Sequence, residues 1–160
     1  MRSNILMTYG FNLMYAKRLL EGVTDDHRCS QPAGVPNHAT WVIGHLAKST
    51  DFAGSMLGIA PACPDGWGSL FGKDSVPDTD ATRYPDLATL MAHLEQGHDR
   101  VAEAYRGVAD DVLGAAATAG PKELFPTVGD LLHFIVTSHE TLHLGQLSSW
   151  RRAAGLPSVF

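Results

Sequence analysis

Apolar residues recur at three- and four-residue steps in four stretches of the chain, and no stretch convincingly alternates with the period of two that marks a strand. In the first, residues 3–21, Ile5, Tyr9, Leu13, Ala16 and Leu20 make one helical face, with Ser3 or Asn4 as its cap. Asn12 and Tyr15 bring polar atoms beside that face and read as satisfied groups at the core edge. The second helix runs from Pro36-Asn37 to about Leu57, with Asn37 as N-cap and Gly58 and Pro61 as stop signals. Val42, Leu46, Ala53 and Leu57 form its stripe, and Trp41, His45, Ser49 and Phe52 form a second line beside it. The third starts at Pro85 and carries Leu87, Leu90, Met91, Leu94, Val101, Tyr105 and Val108 on one face. That face loses bulk at Gly97 and His98, which leaves room for a ligand or a neighbouring helix. The fourth opens on Thr127-Val-Gly-Asp130, a capping-box pattern, and runs to about Ala154. Leu131, Leu132, Ile135, Leu142, Leu147 and Trp150 mark its stripe. Gly155 and Pro157 end it, with Arg151 and Arg152 at the negative end of its dipole. The expected fold class is all-α.

Three connections separate these helices. Val23–Pro36 and residues 114–126 are rich in polar residues, Gly, Ala and Pro. Residues 59–84 have no sustained period, and a connection of that length is often functional in a compact domain. Its Trp67, Leu70 and Phe71 either cover a pocket mouth or, on the simpler reading, pin the loop to the helices.

Composition narrows the picture. The 160 residues suit one domain, 1–160, with a proper core, and 44% hydrophobic with 18% charged residues fits a soluble globular chain. A net charge of −5 supplies no bulk basic field, so no nucleic-acid partner is expected. No run of about 18 apolar residues predicts a membrane span. The N-terminus reads as an amphipathic helix, not a signal peptide. Cys29 and Cys63 lie 34 residues apart and read as free thiols of a cytoplasmic protein.

The densest chemistry lies in Ser138-His139-Glu140-Thr141-Leu142-His143-Leu144-Gly145-Gln146. Two histidines at i and i+4 share a helix face, and here that face is apolar, so both rings can reach one metal ion. The His-Glu-x-x-His pattern is that of zinc proteases. A protease needs a third ligand, normally downstream, and none of the 17 residues after His143 is His, Asp, Glu or Cys. The longer metzincin pattern also fails, because Gln146 and Ser149 stand where it needs Gly and His. A third ligand must lie upstream. His133 faces about 240° away from His139 at 100° per residue. His27 and His38, in a connection and a first helical turn, are expected in solvent, and His93 and His98 read as surface or boundary residues. His45 is the best choice: it is well inside a helix, flanked by Trp41 and Leu46, with Gly44 permitting close approach. Any one of these histidines alone is more simply a structural residue. Three on buried faces weaken that reading, because buried imidazoles need partners.

Asn37-His38-Ala39-Thr40-Trp41-Val42-Ile43-Gly44-His45-Leu46, together with His139 through Leu147 and the tail Arg151–Pro157, resembles the DinB/YfiT-like superfamily of metal-dependent enzymes. The similarity spans nearly the whole chain. The resemblance implies a four-helix bundle with a long connection between helices 2 and 3, and a divalent metal, nickel or zinc, on His45, His139 and His143. Some relatives carry glutamate where His139 stands; this chain follows the three-histidine branch. It further implies a homodimer, and an activity like that of thiol-dependent transferases or isomerases using low-molecular-weight thiols such as bacillithiol or mycothiol.

Three neutral ligands leave coordination positions open, where a thiol or water becomes a nucleophile at neutral pH. The expected function is attack of such a nucleophile on a small electrophile, as a thiol S-transferase or hydrolase. Trp41 and Phe52 would suit a hydrophobic one. Gln146, three residues past His143, is expected to orient water or support a ligand from behind. Glu140 is either a base or a carboxylate at the surface or behind the ligands. The alternative is a non-catalytic metal- or metabolite-binding protein with the same three histidines, and a plain bundle with histidines as filler is a third reading.

Overall fold

The computed structural model describes residues 2–160, and they are all-helical with no strand; a single isolated bridge joins Ala116 and Thr127. The long helices are α1 (Arg2–Leu20), α2 (Ala39–Met56) and α4 (Leu87–Gly107). A fourth rod is made of α6 (Val128–Phe134), a π turn (Ile135–His139) and α7 (Glu140–Ala153). Short helices α3 (Trp67–Phe71) and α5 (Asp110–Gly114) sit in the connections. Helix α2 packs most extensively along α4, and α1 lies against α7 and α4.

The ends follow from local chemistry. Asp86 caps α4 by accepting the Thr89 N–H, and Thr127 with Asp130 forms a reciprocal capping box on α6. Gly58 and Gly155 take φ of +74° and +79° just past α2 and α7, a conformation that costs other residues a Cβ clash. The cap of α2 departs from expectation. His38, not Asn37, is the N-cap; its Nδ1 accepts the Trp41 N–H while its Nε2 donates to the Asp78 carbonyl. The ring expected in solvent is 0% exposed.

Two apolar clusters fill the interior. One joins Leu19, Ile43, Leu46, Phe71, Leu90, Leu94, Leu147 and Trp150; the other joins Tyr9, Ala53, Val101, Tyr105 and Leu131 with Leu132. Three expectations need correction. Leu142, expected on the buried stripe, is 62% exposed, and Phe52, in the second line on α2, is 37% exposed. His98 is buried in α4, not at the surface, because Tyr9 of α1 stacks on its ring at 3.7 Å. The fourth rod is not one uninterrupted α-helix, because the π turn breaks its period. The bulk lost at Gly97 serves a neighbouring helix: a Cβ there would meet Thr50 Oγ1 of α2 at 1.9 Å.

The 59–84 connection is built into the molecule. Trp67 and Phe71 are buried, and α2 holds the segment through one line of side chains. His38 bonds to Asp78, the Trp41 indole N–H donates to Ser75 Oγ, and His45 Nδ1 bonds to the Phe71 carbonyl. Positions 38, 41 and 45 share a helix face, which aligns the three bonds along the connection. No helix among the described residues is long and apolar enough to cross a membrane.

Candidate metal centre

His45 from the middle of α2, His139 from the end of the π turn and His143 from α7 converge. Each offers a ring nitrogen, and these nitrogens lie within 4.8 Å of one another. The ring centroids are 4.4 Å apart for His45 and His143, 4.6 Å for His139 and His143, and 5.2 Å for His45 and His139. Nε2 of His45 lies 3.3 Å from Nε2 of His139. Tetrahedral ligands at about 2.0–2.1 Å from zinc stand roughly 3.3 Å from one another, so that approach fits two nitrogens sharing one ion.

The outer ring nitrogens set the tautomers. A carbonyl only accepts, so the 2.7 Å contact of His45 Nδ1 with the Phe71 oxygen puts the proton on Nδ1 and leaves Nε2 a lone pair. His143 Nδ1 likewise donates to Gln146 Oε1 at 3.0 Å, and that same oxygen accepts from Asn37 Nδ2 at 2.9 Å. His139 differs: its Nδ1 is buried and has no partner. Inward lone pairs held from behind are what a cation needs, and the outer bonds supply them on His45 and His143.

Burial keeps the rings neutral. It lowers the pKa of His45, takes His139 down to about 4, with the neighbouring His45 adding to the effect, and takes His143 down to about 3, helped by His45 and His139. At neutral pH each ring therefore carries one acceptor nitrogen. Trp41 stacks on His45 at 4.8 Å and 10° and borders His143 at 6.0 Å, walling one side of the cluster. Beside His143 a groove of about 560 Å³ opens between Val35, Pro36 and Asn37 and the α7 residues Leu142, Gly145, Gln146 and Ser149.

The remaining sequence candidates fall elsewhere. Glu140 is 2% exposed, and its carboxylate accepts from His98 Nε2 at 2.9 Å and Asn12 Nδ2 at 3.1 Å. It is thus an interior group and not a surface one, and burial raises its pKa against the opposing hydrogen bonds. His133 bonds to Tyr105 Oη, and half-buried His93 packs its ring on Trp67 at 4.7 Å. Sequence reasoning missed the Phe71 carbonyl, Asn37 and His98. Asn37 lay inside a motif already singled out, and His98 stood where the third helix's stripe thins but read as a surface or boundary residue; a main-chain carbonyl in a loop leaves no trace in side-chain pattern.

A family model described as the DinB superfamily matches residues 11–147. The chain belongs to the DinB superfamily. No curated protein and no solved structure matches it. The matched span of this DinB chain contains all three converging histidines and Gln146.

Proposed function

We propose that His45, His139 and His143 hold one divalent cation, nickel or zinc, and that this DinB protein is a metal-dependent enzyme of the thiol S-transferase or hydrolase type. The observation that carries the reading is the meeting of three neutral imidazoles from two separate rods, two of them held in the ligating tautomer by Phe71 and Gln146. A divalent cation bound there supplies a Lewis acid that lowers the pKa of a coordinated thiol or water. The chain does the rest. Three protein ligands leave room for small molecules, where a closed structural site would use four. Trp41 shields the cluster on one side, and the groove at His143 admits a small electrophile. Gln146 holds His143 rather than standing free, so its part in this reading is to fix a ligand.

The same reading takes residues 1–160 as one cytoplasmic domain, a four-helix bundle with its long connection between α2 and α4, working as a homodimer on a small molecule. Protein purified without chelators should carry about one divalent ion per chain by elemental analysis, and His45→Ala should carry none. The loaded protein should conjugate a low-molecular-weight thiol to a small electrophile, and His45→Ala should not. Metal loading without any turnover would leave a binding protein; no stoichiometric metal in the wild type ends the proposal.

A further inference from the structure

We propose that Glu140, His98 and Asn12 form a positioning network that pins the π turn and thereby aims His139 at the other two histidines. The inference rests on reading the three histidines as a metal centre. His45 and His143 are each oriented by a hydrogen bond at the outer ring nitrogen, to Phe71 and Gln146. His139 has none, since its Nδ1 is buried and unpartnered. With no bond at that nitrogen, its aim depends on the backbone that carries it, the last residue of the π turn.

A π turn is uncommon and needs support, because its carbonyls leave the ordinary α-helical ladder. Here the support comes from distant helices. The Thr137 carbonyl accepts from the Glu140 N–H, from Asn12 Nδ2 at 3.2 Å and from Thr141 Oγ1 at 3.0 Å. The same Asn12 amide donates to Glu140 Oε2 at 3.1 Å, so one side chain of α1 grips both the turn and the residue after it. Glu140 Oε1 takes the second donor, His98 Nε2 of α4, at 2.9 Å, and Tyr9 of α1 stacks on that imidazole. Both carboxylate oxygens are therefore tied to helices outside the rod that bears His139. A buried carboxylate is a poor way to gain stability, and apolar packing commonly does as well. What the network supplies is a fixed register. Glu140, next in sequence to a ligand, acts in this account through His139, and no contact with a reacting molecule is assigned to it.

The test measures zinc affinity by chelator competition and the cobalt(II) visible spectrum, alongside the unfolding midpoint of the metal-free protein. Variants are Asn12→Ala, Glu140→Ala and Glu140→Gln, with Leu90→Ala in the α4 core as a control for general destabilisation. Glu140→Ala and Asn12→Ala are expected to weaken zinc binding about 10- to 100-fold and to change the cobalt band. Glu140→Gln should recover most of the affinity, since its carbonyl accepts from Asn12 and its amide donates to the other His98 tautomer. Leu90→Ala should lower the midpoint and leave affinity within a few-fold. Should Glu140→Ala not fold, Asn12→Ala, which removes only α1's grip, decides. Unchanged affinity and spectrum in Asn12→Ala, or an equal loss in Leu90→Ala, overturns the inference while the metal centre stands. A wild type that binds no zinc or cobalt removes the centre and the inference together.

Discussion

Gly44 shows how much one hydrogen atom decides. A Cβ at that position would lie 2.3 Å from the Phe71 ring, inside any tolerable contact. Phe71 is fully buried, and its carbonyl holds His45 Nδ1, so the ring cannot shift without moving the residue that orients a candidate ligand. Gly44→Ala should cost about 1–3 kcal/mol through overpacking and should also weaken zinc binding. Urea unfolding and a zinc titration check the two effects, and a variant normal in both would contradict this account of Gly44. His38 makes a separate prediction, in pH. Its two nitrogens are committed as one donor and one acceptor, so protonation breaks the α2 cap, and burial takes its pKa from 6.5 down to about 4. The unfolded ring takes up a proton near pH 6.5 and the folded ring resists until about 4. The stability linked to the neutral, buried ring is therefore intact above pH 6.5, declines as pH falls toward 4 because the unfolded ring takes up the proton, and levels off below. The loss reaches on the order of 3 kcal/mol. His38→Asn should flatten that part of the stability profile between pH 7 and 4; parallel profiles for variant and wild type would refute it.

At the scale of elements, what could be read beforehand was what adjacent residues decide. Thr127 and Asp130 stand three apart, and their capping box was legible because both partners lie in one turn. Thr127→Ala should cost about 1 kcal/mol in thermal or chemical unfolding. Because the box stabilises the far end of the fourth rod, zinc affinity should stay within a few-fold of wild type. The histidine spacing at 139 and 143 was legible for the same local reason. The π turn just before them was not. Its carbonyl is gripped by Asn12, 125 residues away in sequence, and no window along residues 127–154 contains that partner. His98 was misplaced for a related cause: it sits where the α4 stripe thins, and only the approach of Tyr9 and Glu140 buries it. Leu142 went the opposite way, since a residue assigned to the buried stripe ended exposed on the groove wall.

For the whole molecule, the two rods that supply the histidines meet only in the folded chain, so an ion bound by all three stabilises the native state alone. Free zinc at a hundred times its dissociation constant should add about 2.7 kcal/mol of stability, reversible with chelator. A rise in the unfolding midpoint, absent in His143→Ala, is the expected calorimetric result. An equal rise in that variant would place zinc elsewhere on the protein. The three histidines meet where two motifs pointed; the docking of residues 59–84 beside them could be read only as far as Trp67, Leu70 and Phe71, since the segment carries no period that gives its position. That segment is fixed by α2, whose His38, Trp41 and His45 hold Asp78, Ser75 and Phe71 in turn.

The row of bonds along α2 ties the longest connection of the chain to the histidine that α2 contributes. A relative could trade that segment for another of different length and still keep every histidine, yet its imidazole on α2 would answer to a new carbonyl. A change in that stretch would then reach the histidine cluster without altering any histidine.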